Sequence, residues 1–116
     1  MSNITHSLAD LLLQIEAEMR QLQLWENNPP EQQLLQSPTP FCADTLNVAQ
    51  WLQWIFIPRM IQILEQGLPL PQQCDIHAYA EEIFQRITPS NVTTLLHLLR
   101  NFDQAITKNG TLGQHH

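Results

Sequence analysis

The sequence predicts an all-α, single-domain four-helix bundle with a long kinked central helix and a proline-rich first connector. Three observations predict it. Apolar residues recur at helical spacing in four stretches, near 4–24, 45–66, 76–87 and 89–108. Capping and stop residues stand at the ends of those stretches. Within the second stretch the apolar side chains point nearly all round the helix, so it needs neighbours on several sides.

In the first stretch, Leu8, Leu12, Ile15, Met19 and Leu22 form a one-sided stripe. Leu11 and Leu13 widen that face, which suits packing inside a bundle. Residues 26–43 follow as a connector holding Pro29, Pro30, Pro38 and Pro40. Proline removes a backbone donor and turns its predecessor away from the helical region. A connector this long is expected to wrap the bundle, pinned by Leu34, Leu35 and Phe41.

The central helix is expected to be capped by Asp44 or Thr45 and to end at Gly67. Pro58 lies inside it and deletes the bond to the Trp54 carbonyl, so a kink is expected there. Ile55 and Met60 are assigned to the core. The third helix takes Asp75 as its cap. In the fourth, Thr88-Pro89 reads as a cap with proline at the first helical position, and Asn109-Gly110 as the stop. The single domain covers 1–116, with 111–116 as a frayed tail.

At 116 residues, one domain buries roughly two-thirds of its unfolded surface. Five Lys and Arg stand against eleven Asp and Glu, a net charge of −6. That balance opposes direct binding of nucleic acid, which rests on neutralising phosphates. The N-terminal residues lack a basic region and carry Asp10, Glu16 and Glu18, so no signal peptide is read. No apolar run approaches a membrane span. A cytoplasmic protein is expected. Cys42 and Cys74 lie beyond opposite ends of the central helix and are expected as free thiols, which suits a reducing compartment.

Chemistry-bearing patterns are few. His6, His77 and His97 have no histidine partner a helical turn away, and neither cysteine stands in a CxxC pair, so no metal site is read. There is no glycine-rich phosphate loop and no nucleophile elbow, so neither a cofactor nor a catalytic residue is assigned. Arg59 interrupts an apolar helix. It reads either as one half of an inter-helix ion pair or as an anion-recognition group. Trp51 and Trp54 read either as a core brace or as an interface hot spot.

The run Pro40-Phe41-Cys42-Ala43-Asp44-Thr45, then Trp51-Leu52-Gln53-Trp54 continuing to Ile57-Pro58-Arg59-Met60, closes with Leu68-Pro69-Leu70-Pro71. These elements, in this order, resemble the signature of the YqcC-like family of small bacterial proteins. The resemblance is specific over residues 40–71. It implies a four-helix bundle and brings no established activity. Members of that family carry a label associating them with a tRNA pseudouridine synthase. Such synthases need a catalytic aspartate in a larger α/β domain with a basic groove. This acidic helical chain offers none of these, and Asp44 reads as a cap.

The expectation is therefore a non-enzymatic helical interaction module, accessory to tRNA pseudouridine modification, with a protein partner such as the synthase. The alternative is a small-molecule or anion-binding bundle that uses Arg59 and the Trp51/Trp54 flank. Phe41, Asp44, Trp51, Trp54 and Arg59 are the candidate interaction or pocket residues.

Overall fold

A computed structural model describes residues 3–70, 75–87 and 92–113. Four helices make up the fold: α1 (Asn3–Gln21), α2 spanning 48–66, α3 (Ile76–Ile87) and α4 (Thr93–Gly113). No strand occurs among the described residues. Between α1 and α2 lie two short 3₁₀ turns, Gln32–Gln36 and Pro40–Cys42.

The α1 stripe is buried as its spacing requires, with Leu8, Leu12, Ile15 and Met19 inside the core. Leu13 departs from expectation and is 66% exposed. It lies on an open groove between α1 and α2, which leaves most of its surface to solvent. The helix ends earlier than the apolar pattern suggests. Gln23 takes a left-handed backbone (φ 62°) and Leu24 donates its N–H back to the Met19 carbonyl at 2.8 Å. Those two features make a Schellman ending, a role usually given to glycine.

Helix α2 is continuous through three local windings. An α-helical start, Val48–Trp51, passes into a π turn, Leu52–Phe56, and then into α-helix again over Ile57–Gln66. At the junction, the Ile57 N–H reaches back to the Leu52 carbonyl, one residue further than an α-helix would. The wider turn lies immediately before Pro58, whose missing N–H disturbs the ladder at this point. At the far end Gly67 is left-handed (φ 65°) and closes the helix, with Leu68 donating to the Ile63 carbonyl at 3.0 Å.

The cap of α2 is not Asp44 or Thr45. Asn47 accepts from the Gln50 N–H at 2.8 Å, and the Gln50 side chain accepts from the Asn47 N–H at 3.0 Å. This reciprocal box satisfies two backbone donors at once, which neither earlier residue achieves. Asp75 is likewise displaced as the anchor of α3. The N–H groups of Ile76 and His77 donate to the Asp103 carboxylate at 3.1 and 2.6 Å. Asp103 reaches across from α4 and is nearly buried, so the cap also fastens two helices together.

Helix α4 carries the most enclosed stripe. Leu95, Leu99, Phe102 and Ile106 have no exposed surface. Its main partners are α1 and α3, while the C-terminal half of α2 lies against α1. The hub expected at α2 is thus shared. Leu52, Phe56, Ile57 and Met60 of α2 are buried, but Ile55 is only half-buried and Ile61 faces solvent. Being apolar all round does not enclose α2, because α4 takes the centre of the bundle. Nor does α4 stop at Asn109-Gly110; it runs to Gly113 and takes in the first residues of the expected tail. A helix-interior glycine costs about 1 kcal/mol relative to alanine, which is a penalty and not a barrier. The Thr88-Pro89 cap, Cys74 and the final histidines lie outside the described residues.

Candidate functional site

The connector returns along α2 and is fastened at two points. The first is Glu26. Its backbone N–H donates to the Gln53 side-chain oxygen at 2.8 Å, and its carbonyl accepts from the Gln53 amide at 2.7 Å. Its carboxylate accepts from the Trp54 indole at 3.1 Å and from the Gln50 amide at 3.3 Å. Three residues within about one helical turn of α2, Gln50, Gln53 and Trp54, therefore hold a single connector residue. Gln53 is only 4% exposed, so its amide has no water to fall back on. Trp54 serves this clamp, and Arg20 covers the face of Trp25 at 4.8 Å on the approach to it.

The second fastening is the turn around Phe41 and Cys42. Both residues are left-handed, with φ 58° and 48°. Non-glycine residues in that region each cost on the order of 1–3 kcal/mol, so surrounding contacts must hold them. The Cys42 N–H donates to the Thr39 carbonyl at 2.8 Å, and the Cys42 carbonyl receives Thr45 and Leu46. The Cys42 thiol is buried and approaches the Leu35 and Ser37 carbonyls at 3.9 and 3.8 Å. Phe41 stacks on Tyr79 of α3 with centroids 4.2 Å apart, and meets Trp51 edge-on at 5.0 Å. Trp51 continues to Phe56 and Phe56 to Phe102, so an aromatic row runs from the connector into the core.

Between this turn and α2 lies a cavity of about 320 Å³. Leu35, Ser37, Phe41, Trp51, Ile55 and Arg59 line most of it. Phe41, Trp51 and Arg59 were singled out from the sequence and come together here. Asp44 stands one hydrogen bond away, accepting from the Ser37 hydroxyl. That bond is the main reason its carboxyl lies below the usual carboxylate range, against a smaller opposing effect of desolvation. Trp54 does not line the cavity and belongs to the Glu26 clamp. Tyr79, behind Phe41, has its hydroxyl pushed above the ordinary 10.0, first by burial and then by the neighbouring acidic groups Cys42 and Glu82.

Arg59 is not the buried ion-pair partner that an apolar helix suggested. It is exposed, and no carboxylate pairs with it among the described residues. The incomplete enclosure of α2 explains this, since Arg59 falls on the flank the other helices leave open. The sequence reading missed Ser37, Ile55 and the Glu26 clamp. Ser37 had a local signal: its hydroxyl accepts from the Thr39 N–H at 3.1 Å, the short-range bond that Ser-Pro-Thr-Pro runs favour.

Two further surfaces stand out. Leu12, Leu13, Ile57, Ile61 and Leu64 line an apolar groove of about 220 Å³ between α1 and α2, with Glu16 and Glu65 also on it. A groove of about 560 Å³ holds His77 and Arg100 beside the Asp103 cap. Among the described residues, no group of three or more His, Cys, Asp or Glu is placed to hold a metal ion. None of the described helices is long and apolar enough to cross a membrane.

A sequence model of the DUF446 family, described as tRNA pseudouridine synthase C, matches residues 7–105. The chain belongs to the DUF446 family. Among its relatives is an uncharacterized protein of Haemophilus influenzae, 45% identical over 61% of this chain and 67% of that protein. The uncharacterized protein YqcC of Escherichia coli is 36% identical over 81% of this chain and 87% of its own length. The solution NMR structure of YqcC superposes with a TM-score of 0.79 at 29% identity, covering 91% of this chain and 90% of that one. The YqcC-like resemblance and the all-helical fold are therefore both established. A protein of Pectobacterium carotovorum named tRNA pseudouridine synthase C is 41% identical over 61 residues. That stretch is 53% of this chain but 16% of the Pectobacterium protein.

Proposed function

We propose that this DUF446 chain is a non-enzymatic helical interaction module that works beside a tRNA pseudouridine synthase. The observation that carries the reading is the Pectobacterium relative. A stretch similar to this chain occupies 16% of a protein bearing the synthase name, which leaves most of that protein for other domains. A helical stretch in that setting fits an accessory that docks on protein.

The surface supports the same reading. The α1/α2 groove offers exposed Leu13 and Ile61 with Glu16 and Glu65 beside them, an apolar patch with a charged rim. The cations among the described residues suit RNA poorly. Arg20 is bonded to Glu16 at 2.9 Å, and Arg59 and Arg100 sit on separate concavities. Such scattered charges do not track a phosphate backbone, and the chain as a whole carries −6. Asp44 is no catalytic aspartate on this reading. It is exposed in a turn and held by Ser37. The proposed setting is the cytoplasm.

The test pairs two assays. Tagged chain is used to capture the synthase from the native cell, and labelled tRNA is titrated with the isolated chain at about 50 mM salt, where phosphate contacts are strong. Capture of the synthase without tRNA binding is expected. Tight, salt-sensitive tRNA binding by the isolated chain would overturn the reading.

A further inference from the structure

We propose that the cavity between the connector turn and α2 binds a small organic monocarboxylate with a flat or branched apolar body. The walls set the body. Leu35, Phe41, Trp51 and Ile55 present apolar and aromatic surface around about 320 Å³, the lower end of the range for ligand pockets. That size suits one ring system and its substituent.

Arg59 sets the charge. Arg59 lines the same cavity, and among the described residues no carboxylate pairs with it. A planar guanidinium matches a carboxylate with two parallel hydrogen bonds, a geometry that a neighbouring apolar wall strengthens by excluding water. One cation alone, with Asp44 just beyond Ser37, disfavours a doubly charged anion such as a phosphate monoester.

The backbone keeps the site open. Left-handed Phe41 and Cys42 hold the Phe41 ring against Tyr79, so the ring forms a wall and does not collapse into the space below. Trp51 is fixed edge-on to that ring and stacked on Phe56. The site thus exists before any ligand arrives, and binding need not order it.

The test uses phenylacetate as probe and phenylacetamide as its uncharged twin. Each is titrated through the millimolar range against isotope-labelled full chain, with backbone amide and tryptophan indole signals followed by NMR. Saturable shifts are expected for phenylacetate at the Trp51 indole and at the Phe41 and Cys42 amides, with Leu13 and Ile61 unmoved. Phenylacetamide should bind about tenfold more weakly, the loss expected when a charge-assisted bond is removed. Arg59→Gln should abolish that preference while leaving the spectrum elsewhere unchanged, since Arg59 is exposed. Ile55→Trp should fill the space and block both compounds. Three results would overturn the proposal: absence of saturation at Trp51, equal binding of acid and amide, or an unaltered preference in Arg59→Gln. Shifts centred on the α1/α2 groove would do the same.

Discussion

Replacing Gln53 with alanine tests how the connector is held. The substitution removes two hydrogen bonds to the Glu26 backbone, at 2.8 and 2.7 Å. Each net bond contributes about 1 kcal/mol, and a donor or acceptor left without a partner adds to the loss. Deleting one buried methylene adds about 0.8 kcal/mol. Glu26 itself is half-buried, so water replaces part of what its backbone loses. The expected loss is about 2–3 kcal/mol. In urea, this lowers the unfolding midpoint by on the order of 1–2 M with an unchanged slope. Gln53→Leu should recover only the packing part of that loss, because it fills the space but still strands both Glu26 groups. The Trp54 indole signal should also shift in both variants as its Glu26 acceptor loosens. A loss below about 0.5 kcal/mol, the size of an ordinary surface change, would show that the clamp does not form.

Other perturbations follow from the same geometry. Gln23→Gly should raise stability by about 0.5–1 kcal/mol, because Gln23 is left-handed and glycine adopts that backbone without a Cβ clash; urea unfolding would detect it, and a loss would refute the Schellman ending. Leu99→Ala should cost about 2–5 kcal/mol as a cavity in the core, whereas half-buried Ile55→Ala should cost about 1 kcal/mol; comparable losses would contradict the placement of Ile55 at the cavity. Tyr79 gives a pH signature. Its folded pKa lies above the unfolded 10.0, so the folded state holds the proton longer and the associated stability is complete below that value. Stability should fall as pH rises beyond 10.0, and Tyr79→Phe should flatten that limb; an identical slope in the variant would refute the assignment.

What the chain made legible were features with a period or a dedicated residue. The α1 stripe of Leu8, Leu12, Ile15 and Met19 and the Gly67 ending could be read because each has one physical explanation. Three failures share a different cause. Asp44 and Asp75 are good caps by residue type, but Asn47 owns a reciprocal partner in Gln50, and Asp103 arrives from a distant helix. Side-chain chemistry cannot say which of several neighbouring candidates finds a partner. For Arg59 the ion-pair reading rested on its apolar sequence neighbours. Burial depends on which flank of α2 the bundle covers, and that is decided by α4. The Glu26 clamp and the left-handed Phe41-Cys42 turn carry no periodicity. Arg59 and the Trp51/Trp54 flank were read together as one candidate pocket; the fold of the connector adds Phe41 to Trp51 and Arg59 on one cavity and leaves Trp54 off it.

The most direct measurement of the central claim mixes the purified chain with purified tRNA pseudouridine synthase C and determines the mass of what forms by sedimentation. The account predicts a defined hetero-complex that persists as salt is raised and is weakened by Leu13→Glu with Ile61→Glu, the two exposed apolar residues of the α1/α2 groove. Independent sedimentation of the two proteins at all concentrations, or a complex that forms only when tRNA bridges them, would contradict it.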